Sequence, residues 1–219
     1  MEYNGLIINH FAHDCFQIKA GSKVIYIDPY TLKSGQIEPA DYIFVTHGHF
    51  DHCSRHDLEK ITGQQTIIVA SKECQVQLSG LKVKEIVYVG PDQFLELESI
   101  KVETVQAYNL DKFRENNQLY HSPEGDELGF ILEISGLRLY HSGDTDKIPE
   151  MARLKNIDLA LLPVSGTYVM TVEEAVEAAK VIKPKVAIPM HYGSVVGSLA
   201  DAQKFKDLLA EENINVQII

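Results

Sequence analysis

Cysteine is scarce in this chain: Cys15, Cys53 and Cys74 are the only three, an odd number in no recognisable spacing. That excludes a disulfide framework and suits reduced thiols in a cytoplasm. Long apolar runs are missing too, none approaching the roughly 20 residues that a membrane-spanning helix needs. The first residues, Met1-Glu2-Tyr3-Asn4-Gly5-Leu6, lack the basic region and apolar core of an export signal. Positive charge is short, with 20 Lys and Arg against 31 Asp and Glu and a net charge of −11. A nucleic-acid backbone, which needs clustered cations, is therefore not an expected partner, and neither is a membrane. No repeat of short period, low-complexity tract or linker interrupts the 219 residues, so one soluble cytoplasmic domain over 1–219 is the expectation.

What is present reads as strands and helices in alternation. Apolar stretches at Leu6–Asn9, Cys15–Lys19, Val24–Ile27 and Tyr42–Val45 predict strands, with Ala20-Gly21-Ser22-Lys23 as hairpin chemistry. Arg55–Ile61 predicts a helix, Thr66–Ala70 a strand, and Ser71 a cap for a helix reaching about Ser79. After short strands over 85–107 comes a long polar loop, 109–127, and then strands at Gly129–Ile134 and Leu137–His141. Asp146–Leu154 is expected to be helical, and Asp158–Leu162 and Val186–Met190 to be buried strands. Thr171-x-x-Glu174 opens a helix through Ile182, and Leu199–Glu212 forms a last helix before Asn215–Ile218.

The densest chemistry comes directly after Tyr42-Ile43-Phe44-Val45. Thr46-His47-Gly48-His49-Phe50-Asp51-His52 brings three imidazoles and a carboxylate together, ligand types that suit Zn²⁺ and its first-row neighbours. At a strand end residues two apart point the same way, so His47 and His49 can converge on one ion while Gly48 lets the backbone turn. Asp51 and His52 then come round to a second. Two ions roughly 3.5 to 4 Å apart can share a hydroxide that forms near neutral pH. His56, in the next helix, reads as solvated, and Cys53 as a small buried thiol.

Two more strands end in ligand types: Leu137–Tyr140 runs into His141-Ser142-Gly143-Asp144, and Val186–Met190 into His191. Open α/β sheets place ligand sites at the carboxyl ends of strands, so these residues can meet His47, His49, Asp51 and His52 at one sheet edge. Asp144 suits a carboxylate bridging both ions, and His191 completes the second. Asp28, after Ile25-Tyr26-Ile27, is read either as the group holding a metal-bound imidazole from behind or as a surface turn with Pro29.

The His-x-His-x-Asp-His motif, Tyr140-His141-Ser142-Gly143-Asp144-Thr145-Asp146 and Ile188-Pro189-Met190-His191-Tyr192-Gly193 together resemble the metallo-β-lactamase superfamily. Within it, the chain is similar to the small single-domain cytoplasmic hydrolases akin to ascorbate-phosphate lactonases and N-acylethanolamine phospholipases. The likeness extends to Ala12-His13 and Asp28-Pro29. It implies an α/β fold, a four-layer αββα sandwich with the metals at one edge of the paired sheets. It also implies two divalent ions, zinc ahead of Mn²⁺ or Fe²⁺, and hydrolysis by a metal-bridging hydroxide, with Asp51 and Asp144 catalytic as well as ligating. His13 is placed near the site mouth, to help a leaving group or to hold a loop. His141 reads as packing rather than ligand, and Gly166, Thr167 and Tyr168 as lining for a substrate. Ser165 stands where related hydrolases usually have Gly.

In one place the chain departs from the pattern. The third imidazole for the first ion commonly comes just after the strand that here is Val102–Ala107, where this chain has Tyr108-Asn109. The expectation is that His121 takes its place, an Asn109 carbonyl oxygen being a poorer substitute. The substrate implied is a small lactone, ester or phosphodiester, and self-association is compatible with such a chain. A metal- and ligand-binding sensor without turnover, and a di-iron redox protein, are the two other classes left open.

Overall fold

The computed structural model describes all 219 residues, Met1–Ile219. The backbone divides into two compact units, Met1–Gly90 with Ile219, and Pro91–Ile218. Each is built on a seven-stranded mixed sheet.

In the first unit β1 (Glu2–Tyr3), β2 (Leu6–Ala12), β3 (Cys15–Ala20) and β4 (Lys23–Ile27) run antiparallel. From β4 the sheet continues in parallel through β5 (Tyr42–Val45), β6 (Ile67–Ser71) and β7 (Glu85–Val89). The central strands β4, β5 and β6 are buried on both faces, which is why they read as unbroken apolar runs rather than alternating ones. On one face, Leu58 and Ile61 of α1 (Arg55–Ile61) and Leu78 of α2 (Gln75–Leu78) join Tyr26, Ile43, Val45, Ile68 and Ala70 in a core. The helix expected from Ser71 is shorter than its sequence suggests. A 3-10 turn at Lys72–Cys74, capped by the Ser71 side chain, leads into the single turn of α2. All three cysteines are free thiols buried in this core. Burial pushes the Cys15 thiol up, and a hydrogen bond with Cys53 together with burial does the same to Cys74, so neither offers a thiolate to a metal.

The second unit repeats the order. β8 (Phe94–Leu97), β9 (Ile100–Gln106), β10 (Leu128–Ile134) and β11 (Leu137–His141) run antiparallel. β12 (Leu159–Pro163), β13 (Val186–Met190) and β14 (Asn215–Val216) extend the sheet in parallel. α3 (Val172–Ile182) begins at the capping box read in the sequence. Thr171 Oγ1 accepts from the Glu174 N–H at 3.2 Å, and Glu174 Oε2 accepts from the Thr171 N–H at 2.7 Å. It ends at Lys183 in the left-handed region, just ahead of Pro184. Ala175, Val176 and Ala179 of α3 and Phe205 and Leu209 of α4 (Leu199–Glu211) share a core with Ala160, Leu162 and Ala187 of the sheet. The helix expected over Asp146–Leu154 is only a 3-10 turn, Pro149–Arg153, because a proline bars the residue before it from helical backbone. No helix is long and apolar enough to cross a membrane.

Gly129 in β10 lies against the end of β11. A Cβ there would sit 2.8 Å from the Ser142 backbone oxygen, 3.0 Å from that of His141 and 2.9 Å from the Val105 side chain. Gly129→Ala is therefore expected to destabilise the protein by about 1–3 kcal/mol. Urea unfolding checks this: the midpoint should fall at constant m-value, and an unchanged midpoint would show that the strands part freely.

Candidate metal centre

In the first unit the motif leaves β5 with His47 Nε2 and His49 Nδ1 facing each other at 2.9 Å. Gly48 contributes space as well as a bend: a Cβ there would lie 3.1 Å from the Glu73 backbone oxygen. Behind His47 stands a relay anchored on Asp28, which is fully buried and left-handed at φ 46°. Asp28 Oδ1 accepts from the Thr46 N–H at 2.8 Å. Asp28 Oδ2 accepts from the Thr46 hydroxyl at 2.7 Å and lies 2.8 Å from His52 Nδ1. Because the Thr46 proton goes to Asp28, Thr46 Oγ1 can only accept at His47 Nδ1, 3.0 Å away. Both imidazoles are thereby held as the Nδ1–H tautomer, which leaves Nε2 basic for a metal. Asp28 is thus a support for imidazoles and not a surface turn.

His13, at φ 55°, is fully buried rather than at a mouth, and its Nε2 lies 3.2 Å from Asp51 Oδ2. The loop after Asp28 is pinned by Asp57, which accepts from the Thr31 and Leu32 N–H groups at 3.0 Å each. Burial pushes the Asp57 carboxyl up, but hydrogen bonds from Lys60, Ser54 and Leu32 outweigh it and hold it below the usual carboxylate range. His56 is exposed.

In the second unit Asp144 Oδ2 lies 3.2 Å from His191 Nε2 and 3.6 Å from His121 Nε2. His191 comes directly after β13 in left-handed backbone, φ 59°, and its Nδ1 meets Ser165 Oγ at 2.8 Å. His121 stands at the foot of a short hairpin inside the stretch read as a loop. The Arg114 N–H donates to Gln118 O at 2.7 Å, the Tyr120 N–H to Lys112 O at 3.1 Å, and the Asn109 N–H to His121 O at 2.9 Å. His141 is buried, and its Nδ1 accepts from the Gly143 N–H at 3.2 Å, which shapes the turn toward Asp144. Both units thus gather imidazoles and carboxylates, most of them buried, at the carboxyl ends of strands. That donor chemistry fits a divalent ion of the zinc kind.

Residues 7–191 match the sequence profile of the β-lactamase superfamily domain. The chain belongs to the metallo-β-lactamase superfamily. It is 35% identical over 207 residues to a UPF0173 metal-dependent hydrolase of Thermoplasma acidophilum, an alignment covering 90% of this chain and 87% of that one. It is similar in structure to a Parabacteroides distasonis protein provisionally assigned as a metal-dependent hydrolase. The TM-score is 0.85 at 32% identity, over 97% of this chain and 92% of the other. CmlA, a diiron β-hydroxylase from Streptomyces venezuelae, shares the fold at a TM-score of 0.74 and 12% identity, over 100% of this chain and 53% of its own. The fold class expected from the sequence, α/β of the metallo-β-lactamase kind, is the one found, and the chain sits among the metal-dependent hydrolases of the superfamily.

Two residues at which the resemblance led to a different expectation acquire physical content. Ser165 supplies the hydroxyl that meets His191 Nδ1. Asn109 turns its oxygen toward His121: Oδ1 accepts from the His121 N–H at 3.0 Å and lies 3.1 Å from His121 Nδ1. Tyr168, expected to line a substrate pocket, is seen here to steady the hairpin, with its carbonyl 2.9 Å from Asn109 Nδ2 and its ring 4.7 Å from that of Tyr120. The supporting roles of Thr46, Asn109 and Ser165 carry no signal in the sequence, because each faces a partner far along the chain or is set by a side-chain rotamer.

Proposed function

We propose that the chain is a dinuclear hydrolase of small molecules and that residues 1–219 act as one domain. The observation that carries the proposal is the Asp144 carboxylate oxygen 3.2 Å from His191 Nε2 and 3.6 Å from His121 Nε2, which suits a carboxylate that two ions would share. His47, His49 and His121 would hold one ion, and Asp51, His52 and His191 the other. Support comes from the family profile, which spans residues 7–191. Zinc is the expected metal, with Mn²⁺ or Fe²⁺ as alternatives.

Bound divalent ions would supply Lewis acidity toward a carbonyl or phosphoryl oxygen and acidify water into a nucleophile near neutral pH. The chain's own residues prepare for that chemistry. Asp28 and Thr46 keep His47 and His52 in the ligating tautomer, and Asp51 and Asp144 set the charge of the site. His13 Nε2, beside Asp51, is placed to hold a proton for a departing group. A small lactone, ester or phosphodiester fits this reading better than a polyanion, given the net charge of −11. The reduced cysteines suit a cytoplasmic setting.

The test is a panel of lactones, esters and phosphodiesters on metal-defined protein, with Asp51→Ala beside it. Turnover that a chelator abolishes, that zinc restores and that Asp51→Ala loses supports the proposal. Equal turnover by Asp51→Ala overturns the mechanism, and full metal occupancy with no turnover assigns the chain to sensing instead. The shared fold of a diiron hydroxylase keeps a redox reading in view. Protein prepared anaerobically and found to hold iron with a mixed-valence electron paramagnetic signal, and no hydrolysis, would favour it.

A further inference from the structure

We infer that Asn109 is a positioning residue that decides which nitrogen His121 presents, the device by which this chain moves a ligand from a strand end to a hairpin. The inference rests on reading His121 as a metal ligand. The amide's orientation is set by its partners. Its Nδ2 donates to Asp146 Oδ1 at 3.2 Å and to the Tyr168 carbonyl at 2.9 Å, and a carbonyl can only accept. The oxygen is therefore the end that faces His121, where it takes the backbone N–H at 3.0 Å and meets ring Nδ1 at 3.1 Å. An amide oxygen cannot donate, so the ring proton sits on Nδ1. The lone pair then sits on Nε2, the atom 3.6 Å from Asp144 Oδ2.

Asp146 is fixed in turn. Its Oδ2 accepts from the Leu110 N–H at 2.7 Å and the Asp111 N–H at 3.3 Å, and the Lys112 ammonium lies 3.4 Å from Oδ1. Asp146, Asn109 and His121 are all buried. The arrangement has the logic of Asp28, Thr46 and His47: a buried carboxylate orients a neutral group, and the neutral group sets an imidazole. Hairpin closure alone does not account for it, because the Asn109 N–H to His121 carbonyl bond already closes the foot. The side-chain oxygen adds a bond to the ring.

The experiment uses the full chain in two measurements. Zinc affinity is read by competition with a chromophoric chelator, and the His121 tautomer by long-range ¹H–¹⁵N correlation in metal-free protein. His121→Ala is expected to weaken one of two zinc sites. Asn109→Ala is expected to lose the Nδ1–H signature of His121 and to bind that zinc roughly 10–100-fold more weakly. The exchange Asn109→Gln keeps an amide oxygen for His121 and an NH₂ for Asp146 and the Tyr168 carbonyl, and is expected to restore both readouts. This variant also carries the test if Asn109→Ala melts early. If His121→Ala binds two zinc ions as tightly as the parent, the ligand reading falls. If His121→Ala is weakened but Asn109→Ala keeps the tautomer and the affinity, or the exchange restores neither, the role given to Asn109 alone is overturned.

Discussion

Asp144→Ala is expected to bind neither ion tightly and to lose on the order of 10³-fold or more in kcat/KM, the several kcal/mol that a correctly placed Lewis acid supplies. Its carboxylate oxygen is 3.2 Å from one imidazole nitrogen and 3.6 Å from another, so a single truncation removes the anion that the proposed function assigns to both ions. The stability consequences differ with and without metal. In metal-free protein Asp144 is 3% exposed beside two imidazole nitrogens, and truncation costs what those contacts contribute. With zinc at about 100 times its Kd, the parent gains about 2.7 kcal/mol by mass action and the variant gains almost none. Thermal melts with and without zinc, run beside the kinetic assay, separate loss of metal from loss of fold. Activity within tenfold of the parent would remove Asp144 from the bridging position.

Asp28→Asn is expected to produce a second large loss without touching a proposed ligand. The carboxylate holds three donors: the Thr46 N–H, the Thr46 hydroxyl and His52 Nδ1–H. An amide that keeps its oxygen on the Thr46 N–H must turn its NH₂ toward the other two. His52 then accepts at Nδ1 and moves its proton to Nε2. Thr46, now receiving a proton, gives its own to His47 Nδ1, so His47 reverses as well. One atom's change thus takes the lone pair from the Nε2 of both imidazoles, and zinc affinity should fall by at least the roughly 10–100-fold of a single supporting contact. Asp28→Ala, by contrast, leaves three buried donors without that acceptor and should unfold at markedly lower denaturant, since each costs about 1–3 kcal/mol. Histidine ¹⁵N shifts, metal titration and urea melts on the pair check this. Parental zinc affinity in Asp28→Asn would mean that the relay does not govern the ligands.

Much of this was legible in the sequence, and the reason is burial. β4, β5 and β13 are covered on both faces, so each appears as an uninterrupted apolar word, and the polar residue that ends it stands out: Asp28, Thr46-His47, His191. The Thr171 capping box was equally readable because both its bonds are local. Illegible were the contacts whose partners are distant. Nothing at positions 109 to 121 announces a hairpin, since its pairing has one bridge, Phe113 to Leu119, and no alternating pattern. The overlong helix at Asp146–Leu154 failed for a related reason. Its first residue accepts from the hairpin's N–H groups instead of capping a helix, and Pro149 then confines the helical backbone to a 3-10 turn.

The left-handed backbone at His13, Asp28 and His191 has a consequence for anyone who redesigns this protein. A non-glycine side chain in that region costs about 1–2 kcal/mol. A procedure that chooses residues by backbone fit alone would write glycine at all three positions, and at Asp28 it would relieve the torsion while stripping three buried donors of their acceptor. Conversely, the same torsions survive in a scaffold stripped of its side chains. They mark three places where the polypeptide bends at a cost to itself, and where a new set of donors could be installed.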